Sequence, residues 1–289
     1  MKPTSRTLSE NESRIVLDLE WHGKKTVSLG EIREALQTSD AYARFLAHKL
    51  VAKGWLERLR PGFYQLIPAE RGPEGVPDFN PLAAGSALVE PYFYSYGTAC
   101  THHGLTEQVF SEVYVAHTKR RRPVTIHDKR YVFVHITESR FFGFTTIDVL
   151  GSRVEMATVE RTILDAIDRP NCAGGLAEVS RMIRRVGPRM EWSKIVDLLQ
   201  QWDESALVQR LGYFLDLQKI ELPKKIRSAL LRLVPSNSKI FLGSRGEWGT
   251  KGDLIHPWNI LQNIPTDVLL EKGETGRRKI VFSGRSNRR

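Results

Sequence analysis

Two cysteines in 289 residues, Cys100 and Cys172, are too few for a disulfide framework, and neither sits in a CxxC pair or in a Cys/His cluster with zinc-finger spacing. No apolar run approaches the ~18 to 20 residues that span a bilayer. Residues 1–10 are polar and lack the apolar segment of a secretory leader, so a reducing cytoplasm with no membrane partner is the expected location. Phosphate loops of the GxxxxGK[ST] or GxGxxG type are missing, and the glycines between residues 243 and 252 open no predicted helix. Nucleotide binding therefore has no motif to support it. Low-complexity sequence is missing too: 41% hydrophobic and 26% charged residues suit a chain that folds around its own cores without metals or disulfides. At about 150 residues per domain, two domains are expected.

Positive charge is present in excess. Forty-three Lys and Arg against thirty-three Asp and Glu give a net +10, which favours polyanionic partners through long-range attraction and counterion release. The excess is uneven. Much of it lies in the run Lys119, Arg120, Arg121 and Arg122, in the set Arg181, Arg184, Arg185 and Arg189, and in an acid-free tail, residues 277–289. A solvated face shows such runs as well, so charge alone does not choose between DNA, RNA and anionic lipid.

Hydrophobic spacing predicts three helices at the N-terminus. Ile15, Val16 and Leu19 recur at helical spacing behind a capping stretch at residues 9–12, and Gly23 ends the pattern. Ile32, Ala35 and Leu36 mark a short second helix. Ser39 or Asp40 caps a third, where Ala43, Leu46, Ala47 and Leu50 form one stripe and Gly54 sits at the C-terminal stop. Residues 55–59 and 63–67 read as strands around Arg60, Pro61 and Gly62, a type II turn with Pro at i+1 and Gly at i+2. Three helices and a hairpin make a winged helix-turn-helix.

Prolines 68, 73, 77, 81 and 91 make the next stretch a poor place for long elements, so residues 69–80 read as a linker with a brief helix at 81–88. Strands follow at 113–116, 131–136, 145–149 and 154–157, then helices at 158–167, 175–186, 192–201 and 205–217. Strands followed by helices predict an α+β fold, with the winged helix leading into a larger mixed domain.

In a helix-turn-helix the second helix of the pair enters the major groove and the wing meets the neighbouring backbone. With Ala43, Leu46 and Leu50 inward, Arg44, Phe45 and His48 point outward, while Ser39 and Tyr42 stand at the end that approaches the bases. Arg44 suits bidentate bonding to guanine. Arg58 and Arg60 in the wing, and Lys119, Arg120 and Arg121 beyond it, are the expected phosphate contacts. Against this, residues 1–68 carry only about +3, and a winged helix can also serve protein contact. Cys100, His102 and His103 lie close but lack further ligands or a base, so local packing explains them better than catalysis. Glu155, Glu160 and Asp165 invite a metal-nuclease reading, yet Arg161 and Asp165 stand at ion-pair spacing on a helix and no lysine follows usefully.

The sequence also resembles a known family. Residues 49–64, Lys-Leu-Val-Ala-Lys-Gly-Trp-Leu-Glu-Arg-Leu-Arg-Pro-Gly-Phe-Tyr, are similar to the winged-helix signature of AbiEi-type antitoxins. Downstream similarity runs through residues 96–105, the Glu-Arg-Thr-Ile-Leu-Asp at 160–165, Gly174-Gly175-Leu176, and the Gln-Arg-Leu-Gly-Tyr-Phe-Leu at 209–215. The resemblance implies a non-enzymatic regulator without cofactor or metal: a repressor of its own operon at an inverted-repeat operator. It also implies an antidote to a co-encoded nucleotidyltransferase-type toxin, of the type IV kind that counters the toxin without a stable complex. It divides the chain into a DNA-binding domain at 1–68, the linker, an antitoxin domain at 81–276 and the basic tail. A related architecture carries a very-short-patch-repair-like nuclease, but residues 238–265 lack its Asp followed by Glu-x-Lys. A plain winged-helix transcription factor is the other alternative.

Overall fold

Helix α1, Glu10–Trp21, begins where Ser9 donates its backbone N–H to the Glu12 carboxylate at 2.7 Å, half of a capping box that spares one terminal N–H from burial without a partner. The structure, a computed structural model, describes residues 6–72, 79–86, 88–149 and 152–270. Strand β1, Thr26–Ser28, leads into α2, Leu29–Leu36, where Ser28 and Glu31 form a complete capping box. Helix α3, Asp40–Ala52, is capped by Ser39 and followed by Gly54 at φ +72°. Strands β2, Leu56–Arg60, and β3, Phe63–Leu66, meet at Gly62, whose φ of +75° is the left-handed value a type II turn requires. Ile15, Leu19, Ile32, Leu46, Leu50 and Leu56 close the first core. Strand β1 escapes the sequence reading because three residues show no alternation; it exists because β3 offers Tyr64 and Gln65 as pairing partners.

The second part starts at α4, Pro81–Ser86, within the span expected to be helical. Strand β4, Tyr92–Tyr94, helix α5, Tyr96–His102, and strands β5, Glu112–His117, β6, Val124–Ile126, β7, Lys129–His135, β8, Phe144–Val149, and β9, Ser152–Ala157, follow. They form one mixed sheet in the order β6-β7-β5-β4-β9-β8, with β5/β7 and β4/β9 parallel and the other pairs antiparallel. Sequence reasoning missed β4 and β6. Strand β4 has three residues next to Pro91, and its central place depends on pairing with strands far along the chain.

Helices α6, Val159–Asp168, α7, Leu176–Val186, α8, Trp192–Trp202, and α9, Ser205–Leu217, match the expected periodicity. Beyond them lie α10, Lys224–Arg232, β10, Ile240–Phe241, α11, Arg245–Trp248, β11, Asp253–Ile255, β12, Ile260–Gln262, and α12, Thr266–Leu270. The three last strands make a small sheet in the order β10-β12-β11, which docks on α9 through Trp258. A Cβ at Gly212 would lie 2.2 Å from the Trp258 ring, so only glycine lets the indole lie flat on the helix. Trp258 Nε1 donates to Asp216 at 2.6 Å, and Arg227 pairs with the same carboxylate. Helices and small sheet share one hydrophobic core, and the six-stranded sheet has another.

Arg161 joins those two layers. Its side chain is wholly buried, with Nε 3.0 Å from Asp165 and Nη1 donating to the carbonyls of Arg140 and Phe142, each at 2.9 Å. The guanidinium lies over the rings of Trp202 and Phe142 at 4.2 and 4.8 Å. Asp165 also accepts from the Ser95 hydroxyl. The helical ion pair expected from spacing is therefore present, in the interior and not on a surface.

Candidate nucleic-acid interface

Alternation of buried and exposed positions along α3 turns one face to solvent. Ala43, Leu46, Ala47 and Leu50 are buried, and Ser39, Tyr42, Arg44, Phe45 and His48 are exposed. Arg44 and His48 make no hydrogen bond or ion pair among the described residues and are free to reach a ligand. Ser39 Oγ accepts from the Tyr42 N–H at 3.3 Å, and the Tyr42 hydroxyl accepts from Asn11 Nδ2 at 3.0 Å, so Tyr42 is already oriented by α1. Phe45 is 51% exposed, with Lys49 Nζ 4.7 Å above its ring. Lys49 is a cation of this face that sequence reasoning left out, although its place on the wheel beside Phe45 was available.

The wing differs in one respect from a free hairpin. A bulge between Arg58 and Arg60 redirects Leu59, and Leu59 and Phe63 join the core of the six-stranded sheet. Arg58 stays exposed. Arg60 is half-buried, its guanidinium 5.3 Å from the Phe63 ring and its Nε buried without a partner among the described residues. Glu57 faces His127 in the β6–β7 turn at 3.7 Å. The wing is thus docked on that hairpin.

Lys119, Arg120, Arg121 and Arg122 are exposed in the loop entering β6, at the opposite end of that strand from His127. Residues 123–126, including all of β6, lie between the last of these cations, Arg122, and His127 at the wing contact. Arg120 and Arg121 also border a shallow cavity of about 370 Å³ with Phe133, His135 and Arg169. Arg169 donates to the His135 carbonyl at 3.0 Å. Phe133, His135 and Arg169 were not legible as neighbours of the loop, because only the β5/β7 pairing and the end of α6 bring them there.

Half of the second basic set is neutralised. Arg181 pairs with Glu178 and Arg185 with Glu107, leaving Arg184 and Arg189 as its exposed remainder. The tail at 277–289 lies outside the described residues.

Cys100 is buried with its thiol 3.6 Å from Met182 Sδ, and His103 Nε2 is 2.7 Å from the Ala157 carbonyl oxygen, which is local packing. Burial, helped by Asp165 and Glu178, pushes the Cys100 thiol up to about 12. Native Cys100 is expected to react with iodoacetamide at least about tenfold more slowly than half-buried Cys172, read by peptide mass spectrometry. Equal rates would show that the pocket around Cys100 opens. Among the described residues, no three His, Cys, Asp or Glu side chains are grouped to hold a metal ion.

Residues 14–67 match the family described as a transcriptional regulator, AbiEi antitoxin, and residues 93–217 match the AbiEi antitoxin C-terminal domain. The two matches fall in order and together cover well over half of the chain. The chain belongs to the AbiEi antitoxin family. No curated relative matches it. Among solved structures, the RV2827C protein from Mycobacterium tuberculosis is 14% identical over 89% of this chain and 92% of that one, with a TM-score of 0.57, a likeness of fold. The regulator match of this AbiEi chain contains α3 and the wing, and its C-terminal match contains the basic loop and ends at α9. A transcriptional-regulator domain implies DNA as the ligand of the first. No helix among the described residues is long and apolar enough to cross a membrane.

Proposed function

We propose that this AbiEi protein binds an inverted-repeat operator, represses its own operon and serves as the antidote to a nucleotidyltransferase-type toxin in the type IV manner. The observation that supports this reading best is the solvent face of α3, where Arg44 and His48 are exposed and unpaired while the rest of the helix is anchored in the core. In this reading Arg58 in the wing and the exposed cations at residues 119–122 make the contacts to the DNA backbone. Arg44→Ala is expected to lower specific operator affinity by about 1 to 3 kcal/mol and relax base preference, as loss of a bidentate guanine contact does. Arg58→Ala should weaken all DNA alike, flattening the log–log salt slope by about one unit, whereas Arg60→Ala, at a half-buried side chain packed on Phe63, should flatten it less. An unchanged Arg44→Ala footprint removes that residue from the reading surface.

The antidote role is tested by co-expressing the full chain with the product of the adjacent gene. Rescue that survives Arg44→Ala separates antidote from repressor; loss of both together ties them to one DNA-bound state. Point variants serve better here than a cut at the proposed boundary of 68 or 80, because Leu59 and Phe63 contribute to the core of the sheet and such a truncation would expose it.

A further inference from the structure

A cavity of about 740 Å³ lies away from the α3 face, between the helical layer and the small C-terminal sheet. One side is built from Asp168 at the end of α6, the Gly174-Gly175 turn entering α7, and Arg210 on α9; the other carries Lys239, Phe241, Arg245 and Trp248. Arg210 is partly buried, yet it has no ion pair or hydrogen bond among the described residues. Burial pushes its guanidinium below its ordinary range, and the charges of Asp168 and Glu204 offset this only in part. Removing a guanidinium from water without a fixed counter-charge is costly, and ligand-binding sites are where such groups are retained. Lys239 is exposed and also unpaired, and Arg245 lies 5.6 Å over the Phe241 ring. Two acids line the cavity: Asp168 already pairs with Arg169 at 3.4 Å, and Glu247 is exposed to solvent.

We propose that this cavity binds a nucleotide, its phosphates held by Arg210, Lys239 and Arg245 and its base received by the aromatic and apolar wall around Phe241 and Trp248. The size falls in the ~300 to 1,000 Å³ range of small-molecule sites, and cations beside aromatic rings suit a ligand with an anionic end and a flat body. Backbone N–H groups in the first turn of α7, which has no side-chain cap, border the same space and add to its positive potential. The chain's own tail is no candidate occupant, since residues 277–289 are acid-free and would meet like charge. No contiguous motif marks the site because its walls come from four separated segments, two of them, Gly174-Gly175 and Arg210, in stretches that carry the family resemblance. The inference stands independently of the operator and toxin readings.

Isothermal titration of the full-length protein with ATP, GTP, CTP and UTP, and with pyrophosphate as control, tests it. The expected result is one saturable site for at least one nucleotide, bound about tenfold or more tighter than pyrophosphate, and weakened about tenfold by Arg210→Met and more mildly by Lys239→Gln. Unliganded Arg210→Met should melt no lower than wild type, because removing an unpaired partly buried charge relieves its desolvation. No binding of any nucleotide up to 1 mM, pyrophosphate binding as tight as the nucleotides, or binding untouched by both variants overturns the proposal. So does an Arg210→Met protein that fails to fold, which would make Arg210 a structural residue.

Discussion

Arg161→Met is expected to destabilise the protein by about 3 to 5 kcal/mol, the range for breaking a buried ion pair by removing one partner. The loss has three sources. Asp165, 1% exposed, would keep the Ser95 hydroxyl but lose its counter-charge. The carbonyls of Arg140 and Phe142 would lose the donor that serves both. The rings of Trp202, Phe142 and Phe93 would lose the cation packed against them. Arg161→Lys is the informative control: it keeps a charge but has no planar fork to reach Asp165 and two carbonyls together, so it should stay well below wild type. Urea unfolding of the three proteins measures this, and a change under about 1 kcal/mol for Arg161→Met would mean that the pair contributes no more than a surface one.

The second large effect concerns the loop at residues 119–122. If Lys119, Arg120 and Arg121 each neutralise a phosphate, reversing all three to Glu removes about 2 to 3 units from the log–log salt slope of operator binding. At about 0.1 M salt the same relation gives a loss of affinity on the order of 500-fold. Stability should hardly move, because the three side chains are exposed and none forms an ion pair among the described residues. Titration of labelled operator across salt concentrations, with a thermal melt alongside, separates the possibilities. Normal affinity, slope and rescue with a normal melt would make this run a solvated face.

Legibility varied with how locally each feature is determined. Capping residues, the α3 stripe and the Pro61-Gly62 turn were readable because each depends on neighbours within about four positions, and the structure carries all of them. The pair Arg161 and Asp165 was readable as a spacing but not as a core: one helical turn says the charges meet and says nothing of what covers them. The wing arginines were read as equals, yet the bulge at Leu59 leaves Arg58 in solvent and half-buries Arg60.

What the sequence determined alone is therefore most of the periodic elements up to residue 217, the α+β class, the outward face of α3 and, by resemblance, the AbiEi family. Short strands β1, β4 and β6, the docking of the wing on the β6–β7 hairpin, and the closure of the 740 Å³ cavity were decided by the tertiary structure. The physical reason is the range of the forces involved. Helix periodicity and turn chemistry are settled by contacts a few residues apart. A three-residue strand has too little intrinsic preference to specify itself and takes its state from a distant partner's unpaired N–H and C=O groups, and a partly buried unpaired arginine is recognised only when the walls around it are known.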